Sequence, residues 1–129
     1  MEDRRNKRQV TGKKGEEVAC DLLAGRGHTI LERNHRVGHL EIDIISVSAD
    51  GIHFVEVKAR RESIQAPPQD NVDRAKQANI VKAAGRYLKS GKGMPYGCME
   101  CMFDVVAVTF EGSEHKTEWF PQAYIPLYI

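Results

Sequence analysis

The sequence predicts a single α/β domain in which a mixed β-sheet is flanked by α-helices. Segments with helical spacing of apolar residues alternate with short runs of β-branched and aromatic residues, in the order α-β-β-β-α-β-β. The chain has 129 residues, near the commonest domain size, and two domains would each have a thin core. We therefore assign residues 12–129 to one domain, preceded by a flexible basic arm over residues 1–11.

Two helices are predicted from their apolar stripes. The first covers residues 12–23 and stops before Gly25 and Gly27. The second covers residues 71–88 and is the clearer one, because apolar residues recur along it at helical spacing while its outer face is basic.

The strands are predicted from β-branched and aromatic runs bounded by turn residues. Ala49-Asp50-Gly51 is a turn signal that joins the second and third strands as an antiparallel hairpin. The polar segment 59–70, with two adjacent prolines, is expected to be a loop. The predicted strands cover residues 28–34, 40–47, 52–58, 102–110 and 116–120.

The net charge of +1 makes no case for nucleic acid, but the charges are unevenly distributed. Residues 4–14 and 74–92 are basic, whereas residues 100–118 are acidic. This arrangement predicts one basic surface, although lysines that merely solvate helix faces would give the same pattern. The absence of a long apolar run or an apolar leader predicts a cytoplasmic protein with no membrane span.

The three cysteines do not predict a disulfide framework, because the count is odd and a cytosolic setting is reducing. Cys98 and Cys101 have a C-x-x-C spacing, but a tetrahedral zinc site needs two further ligands. We interpret this pair as structural or incidental.

Charged residues lie within two strands that otherwise have core composition. Since side chains alternate along a strand, Glu41 and Asp43 are expected on one face, with Ile42 and Ile44 on the other.

The third strand repeats the pattern, with Glu56 and Lys58 on one face. The predicted hairpin brings Asp43 and Glu56 into one neighbourhood, where unpaired carboxylates are costly. Mg²⁺ or Mn²⁺, bound by both carboxylates, the Val57 carbonyl and water, would compensate for them. Lys58 would then orient an attacking water. The alternative is a structural ion pair of Lys58 with either acid.

Two helical residues extend this candidate site. Glu16 leans towards the inner side of the first helix and can reach the metal through a water, although an acid there also suits the helix dipole. Lys76 is in register with Ile80 and Tyr87 on the buried side of the second helix. It can either extend outwards to solvent or point at the site or a phosphate.

Together, these segments resemble the YraN-like family, which is related to archaeal Holliday junction resolvases and belongs to the PD-(D/E)XK nuclease superfamily. The resemblance covers about residues 12–108. Each motif alone is weak, but their order and spacing are fairly specific. The matching segments are Gly15-Glu16, Glu41-Ile42-Asp43-Ile44-Ile45, Phe54-Val55-Glu56-Val57-Lys58-Ala59-Arg60, Lys76, Ala84-Gly85-Arg86-Tyr87-Leu88 and Phe103-Asp104-Val105-Val106.

The resemblance implies a restriction-endonuclease-like fold. It makes Asp43 the metal-binding aspartate, Glu56 the acidic ligand and Lys58 the catalytic lysine, and Glu16 matches the helix glutamate of resolvase-like members. The chain departs from the family at Leu40, which replaces the glycine of Gly-Glu-Ile-Asp. A close backbone approach at that position is therefore not expected.

The resulting hypothesis is a Mg²⁺- or Mn²⁺-dependent endonuclease that acts on DNA, including branched DNA such as Holliday junctions. Symmetrical cutting of a junction would call for a homodimer. The alternative is a non-catalytic nucleic-acid-binding module, against which the retained carboxylates argue, since they would repel phosphates. The expected phosphate contacts are Arg60, Lys76, Lys82, Arg86 and Lys89.

Overall fold

The computed structural model describes the backbone of residues 4–61 and 74–124, and the side chains of residues 10–61 and 74–124. The predicted order of helices and strands is confirmed, with one additional 3-10 turn. The elements are α1 (Arg4–Gly25), β1 (Thr29–Val37), β2 (Leu40–Ser48), β3 (Gly51–Arg61), α2 (Arg74–Lys89), a 3-10 turn (Met94–Tyr96), β4 (Cys101–Glu111) and β5 (Glu114–Phe120).

The strands form one five-stranded sheet in the order β1-β2-β3-β4-β5. β3 and β4 are parallel, with α2 in the connection between them, and the other neighbours are antiparallel. The predicted mixed sheet with flanking helices is therefore confirmed. Neither of the helices among the described residues is long and apolar enough to cross a membrane.

Several predicted boundaries are wrong, and the start of α1 and the end of β3 have the clearest physical reasons. α1 begins at Arg4 rather than at residue 12, because the preceding residues are mostly good helix formers and include no proline. β3 continues to Arg61, where a loop was expected, because β4 supplies a parallel partner as far as Phe110. The rest of the predicted loop and the predicted start of α2 at residue 71 lie outside the described residues. The separation of a flexible arm from the domain stays a prediction.

The sheet has a hydrophobic core on each face. On one face α2 packs against β2, β3 and β4, and its tyrosine, Tyr87, is almost fully buried. On the other face α1 packs against β2, β3 and β4 through Ala19 and Leu23. Burial of both helices against one sheet fixes the positions of the polar groups that the helices carry.

The regular alternation of β2 breaks at Asp43. Ile42 packs in the core on the α2 side, whereas Ile44 packs in the core on the α1 side. The expectation that these two isoleucines share a face is therefore wrong. The backbone ladder between β2 and β3 ends at the Ile44–Val55 pair, so β2 can rotate beyond that point.

A close contact between α1 and β3 occurs at Gly15, which is buried. A Cβ atom built on Gly15 would overlap the Cβ atom of Ala59. Alanine has no flexible side chain that could move away, so the helix can approach the strand this closely only with glycine at this position. By contrast, a Cβ atom on Gly12 would meet nothing within 4 Å.

A buried polar network joins the last three strands around Asp104, which is fully buried. Its carboxylate is 2.7 Å from Nδ1 of His53, and it accepts hydrogen bonds from Trp119 Nε1 at 3.3 Å and from the Gln122 amide at 2.9 Å. The other ring nitrogen of His53 is 2.8 Å from Ser48 Oγ. Satisfied partners of this kind stabilise a buried carboxylate and hold β5 against β4.

We expect Gly15→Ala to lower the free energy of unfolding by about 1–3 kcal/mol, because the helix must move away from β3. Gly12→Ala in the same helix is the matched control and should raise the free energy of unfolding by about 0.5–1 kcal/mol. Urea unfolding followed by circular dichroism measures both changes. Equal effects of the two variants would contradict the close contact.

We expect Asp104→Ala to lower the free energy of unfolding by about 3 kcal/mol or more, because it leaves the buried partners of the carboxylate unsatisfied. The control is Glu118→Ala on the exposed side of β5, which should change stability by less than about 0.5 kcal/mol. The same urea titration compares them. A loss at Asp104 no larger than that of the control would rule out a stabilising network.

Candidate active site

The candidate site lies where β2 and β3 separate. Val57 donates its backbone N–H to Asp43 Oδ2 at 2.8 Å, so a side chain replaces the backbone acceptor that a continued ladder would supply. Asp43 also lies beside Glu56, which is only 5% exposed and whose negative charge acts on it. The structure thus brings together the two carboxylates that the sequence placed in one neighbourhood.

Two lysines lie against the same carboxylate oxygen. Lys58 Nζ is 3.7 Å from Glu56 Oε1, and Lys76 Nζ forms an ion pair with that oxygen. Lys58 comes from β3 itself, whereas Lys76 reaches the site from the first turn of α2. Of the two alternatives for Lys76, the structure shows the one in which it points at the site.

The environment changes the pKa values of these groups in different directions. Burial, and then the charge of Glu56, raises the pKa of Asp43 to about 8, although the Val57 amide favours the ionised form. Burial lowers the pKa of Lys58, and the charge of Lys76 lowers it further. Burial also opposes the charged form of Lys76, but the hydrogen bond and charge of Glu56 outweigh it and raise the pKa of Lys76.

Glu16 lies beside the group of charged side chains formed by Asp43, Glu56, Lys58 and Lys76, rather than within it. The contact between Gly15 and Ala59 holds this turn of α1 against β3, and Glu16 is half-buried. Its negative charge makes a small contribution to the raised pKa of Asp43. A role through an intervening water fits this position.

The predicted phosphate-binding residues do not form one cluster. Lys76 belongs to the carboxylate group, and Arg60 is half-buried near the end of β3. Lys82, Arg86 and Lys89 are exposed on the outer face of α2, away from the face that packs on the sheet. Their contact with nucleic acid stays a prediction.

The donor set suits one hard cation. Two carboxylates lie next to each other in a partly buried position, and Asp43 keeps a proton near neutral pH unless a positive charge replaces it. Carboxylate oxygens and water are the ligands that Mg²⁺ and Mn²⁺ prefer. Among residues 10–61 and 74–124, no group of three or more acidic, histidine or cysteine side chains could hold a metal, so water would complete its coordination.

One contact at this site was missed by sequence reasoning, namely the hydrogen bond from the Val57 amide to Asp43. The sequence singled out only the Val57 carbonyl, whose role as a ligand stays a prediction. Cys20, Cys98 and Cys101 are free thiols, in agreement with the expected lack of a disulfide framework.

Fold and site together define an α/β protein with paired carboxylates and lysines where two central strands separate. The family model described as "Uncharacterised protein family UPF0102" matches residues 15–108, and the chain belongs to this family. This match confirms the resemblance to the YraN-like family.

Similar proteins and structures were found for most of the chain. A UPF0102 protein of Anaeromyxobacter dehalogenans is 38% identical over 91% of this chain and 85% of its own length. A UPF0102 protein of Chlorobium chlorochromatii is 43% identical over 75% of this chain and 72% of its own length. Among solved structures, Pyrococcus furiosus SfsA in complex with Ca²⁺ matches with a TM-score of 0.37 and 17% identity, covering 86% of this chain and 62% of that chain.

We expect Asp43→Asn to change the pH dependence of stability in metal-free buffer. The pKa of Asp43 is raised from 3.8 to about 8, so between these values the unfolded chain releases a proton that the folded protein keeps. The wild type should therefore lose stability relative to Asp43→Asn as the pH rises through this window, by at most a few kcal/mol.

Urea unfolding in EDTA at several pH values measures this difference. The control is Asp21→Asn, which replaces an exposed aspartate on α1 and should change stability by less than about 0.5 kcal/mol. A constant difference for Asp43→Asn would show that its carboxyl group has an ordinary pKa.

Proposed function

We propose that this protein is a divalent-metal-dependent endonuclease that hydrolyses phosphodiester bonds of DNA. The observation that carries the proposal is the pair of neighbouring carboxylates, Asp43 and Glu56, with the Lys58 and Lys76 ammonium groups against Glu56. A half-buried acid next to a buried one is costly to a fold, whereas a metal site uses such a pair. The UPF0102 family supports the proposal only through its resemblance to nucleases, since its description names no activity.

Asp43 and Glu56 would hold the metal, with Val57 as a backbone ligand. A bound Mg²⁺ or Mn²⁺ supplies Lewis-acid stabilisation of the phosphate and a water of lowered pKa. The Val57 amide holds the Asp43 carboxylate in place, because its hydrogen bond favours the ionised form that a metal needs.

Lys58 would orient the attacking water or bind a phosphate oxygen. Its ammonium group is half-buried, so it is held near Glu56 rather than extended into solvent. Lys76 would remain charged and stabilise the negative charge that develops at phosphorus. Glu16 would assist by binding a water near the metal.

The substrate would be bound through its phosphates. Arg60, Lys82, Arg86 and Lys89 are the cations assigned to this role, and Lys76 would contribute from within the site. Such contacts give affinity that falls steeply with salt and carries little sequence information. Branched DNA such as a Holliday junction is included in the proposal, and the two active sites of a homodimer would allow two of its four strands to be cut symmetrically.

One observation favours the alternative of a binding module without catalysis. The Lys76 ammonium group already compensates the charge of Glu56, so that carboxylate has a partner without any metal. A protein of this kind would bind DNA but show no response to divalent cations. The experiment below therefore measures cleavage, binding and metal response together.

We expect metal-dependent cleavage of at least one member of a labelled DNA panel containing a linear duplex, a single strand, a flap and a four-way junction. EDTA should abolish cleavage, and Lys58→Ala should reduce its rate by about 10²-fold or more. Lys116→Ala is the control, because this lysine is exposed on β5, pairs with Glu111 and should leave the rate unchanged.

The thermal midpoint in the presence of Mg²⁺ completes this test. Binding of the metal to the folded protein should raise the midpoint, and Asp43→Asn should remove the increase. The nuclease is ruled out in favour of the binding module if DNA binds in a salt-sensitive way while neither cleavage nor a metal-dependent increase is found.

A further inference from the structure

A cavity of about 350 Å³ lies at the end of the sheet on the α1 side. It is formed where α1 passes the end of β3 and the turn between β4 and β5. It lies outside the carboxylate group, and none of the predicted site residues lines it. The lining residues are Val10, Thr11, Lys14, Arg61, Phe110 and Gly112.

The elements around the cavity bring these side chains together. Thr11 and Lys14 are three residues apart on α1 and therefore share one side of the helix. Arg61 and Phe110 are paired in register at the ends of the parallel strands β3 and β4. Gly112 adopts a φ of 63° in the following turn, and a Cβ atom there would meet nothing within 4 Å, so the rim is open at this point.

The lining combines positive charge, a hydroxyl group and an aromatic ring. Lys14 and Arg61 are exposed, and within residues 10–61 and 74–124 neither has an ion-pair partner. Phe110 is half-buried and Val10 is 49% exposed, so the lining also includes accessible apolar surface. Cations next to an apolar aromatic face match a nucleotide, which joins an anionic phosphate to a flat base.

The cavity and the candidate active site share two elements, α1 and β3. On α1, Lys14 lies two residues before Glu16. On β3, Arg61 lies three residues after Lys58, which corresponds to about 10 Å at roughly 3.3 Å per residue. Because side chains alternate along a strand, Arg61 lies on the α1 side of the sheet, whereas Lys58 lies with Glu56 and Lys76 on the α2 side. The cavity is therefore a separate site from the candidate active site.

We infer that this cavity binds one unpaired nucleotide of the DNA substrate, with its phosphate at Lys14 and Arg61 and its base against Phe110. The inference rests on the proposed nuclease function for the identity of the substrate. A base within a continuous duplex is stacked on both sides and cannot reach Phe110. The cavity therefore selects DNA with an unpaired segment, such as a flap, over continuous duplex.

The test is binding of two fluorescent DNAs to the full chain in EDTA, so that no cleavage is needed. One DNA is a continuous duplex, and the other is the same duplex with a single-stranded flap. The wild type should bind the flap more tightly. Phe110→Leu keeps an apolar side chain but removes the aromatic face, and it should weaken flap binding about tenfold while leaving duplex binding unchanged.

The matched variants Lys14→Ala and Lys13→Ala test whether the positive charge of Lys14 contributes to flap binding. Both lysines are exposed on α1, but only Lys14 lines the cavity. Lys14→Ala should reduce the preference for the flap and lower the salt dependence of flap binding by about one counterion. Lys13→Ala should leave the preference for flap over duplex unchanged.

Three outcomes would overturn the inference. The first is an equal loss of flap and duplex binding in Phe110→Leu, and the second is an equal effect of the two lysine variants on flap preference. The third is saturable binding of deoxyadenosine monophosphate without flap binding, which would assign the cavity to a free nucleotide. The protein could show a flap preference that depends on Phe110 and yet cleave no DNA. That result would support nucleotide binding in the cavity and contradict the proposed nuclease activity.

Discussion

The hydrogen bond from the Val57 amide to the Asp43 carboxylate is the interaction on which the centre of this molecule depends. It lies where the backbone ladder between β2 and β3 stops, so it satisfies an amide that would otherwise lack a partner. It also allows β2 to rotate, which sends Ile42 and Ile44 to opposite cores. At this contact the strand pairing ends, β2 begins to send side chains to both cores, and the Asp43 carboxylate is held where β2 and β3 separate.

The balance of charge where β2 and β3 separate follows from this position of Asp43. Two carboxylates cannot both ionise in a partly buried place unless positive charge is near, and Asp43 accordingly has a raised pKa. Lys76 compensates Glu56 directly, but no described lysine forms an ion pair with Asp43. A cation bound beside Asp43 would favour loss of its proton, and this is the physical basis for proposing a metal here rather than a purely structural ion pair.

The close packing of α1 on β3 sets the geometry on both sides of Gly15. Because the helix can approach Ala59 at this residue, its two neighbours are held at defined places. Glu16 is close enough for its charge to act on Asp43, and Lys14 lines the cavity at the sheet end. Gly15 thereby fixes the position of α1 both beside the proposed catalytic centre and at the proposed nucleotide pocket.

The order of elements, the mixed sheet and the proximity of Asp43 to Glu56 follow from the amino-acid sequence, because they depend on residue period and on a short hairpin. Three features come from the folded chain alone: Lys76 reaches Glu56, the alternation of β2 breaks at Asp43, and Arg61 joins Lys14 around a cavity. These features need contacts between segments distant in the chain, and local periodicity carries no information about such contacts.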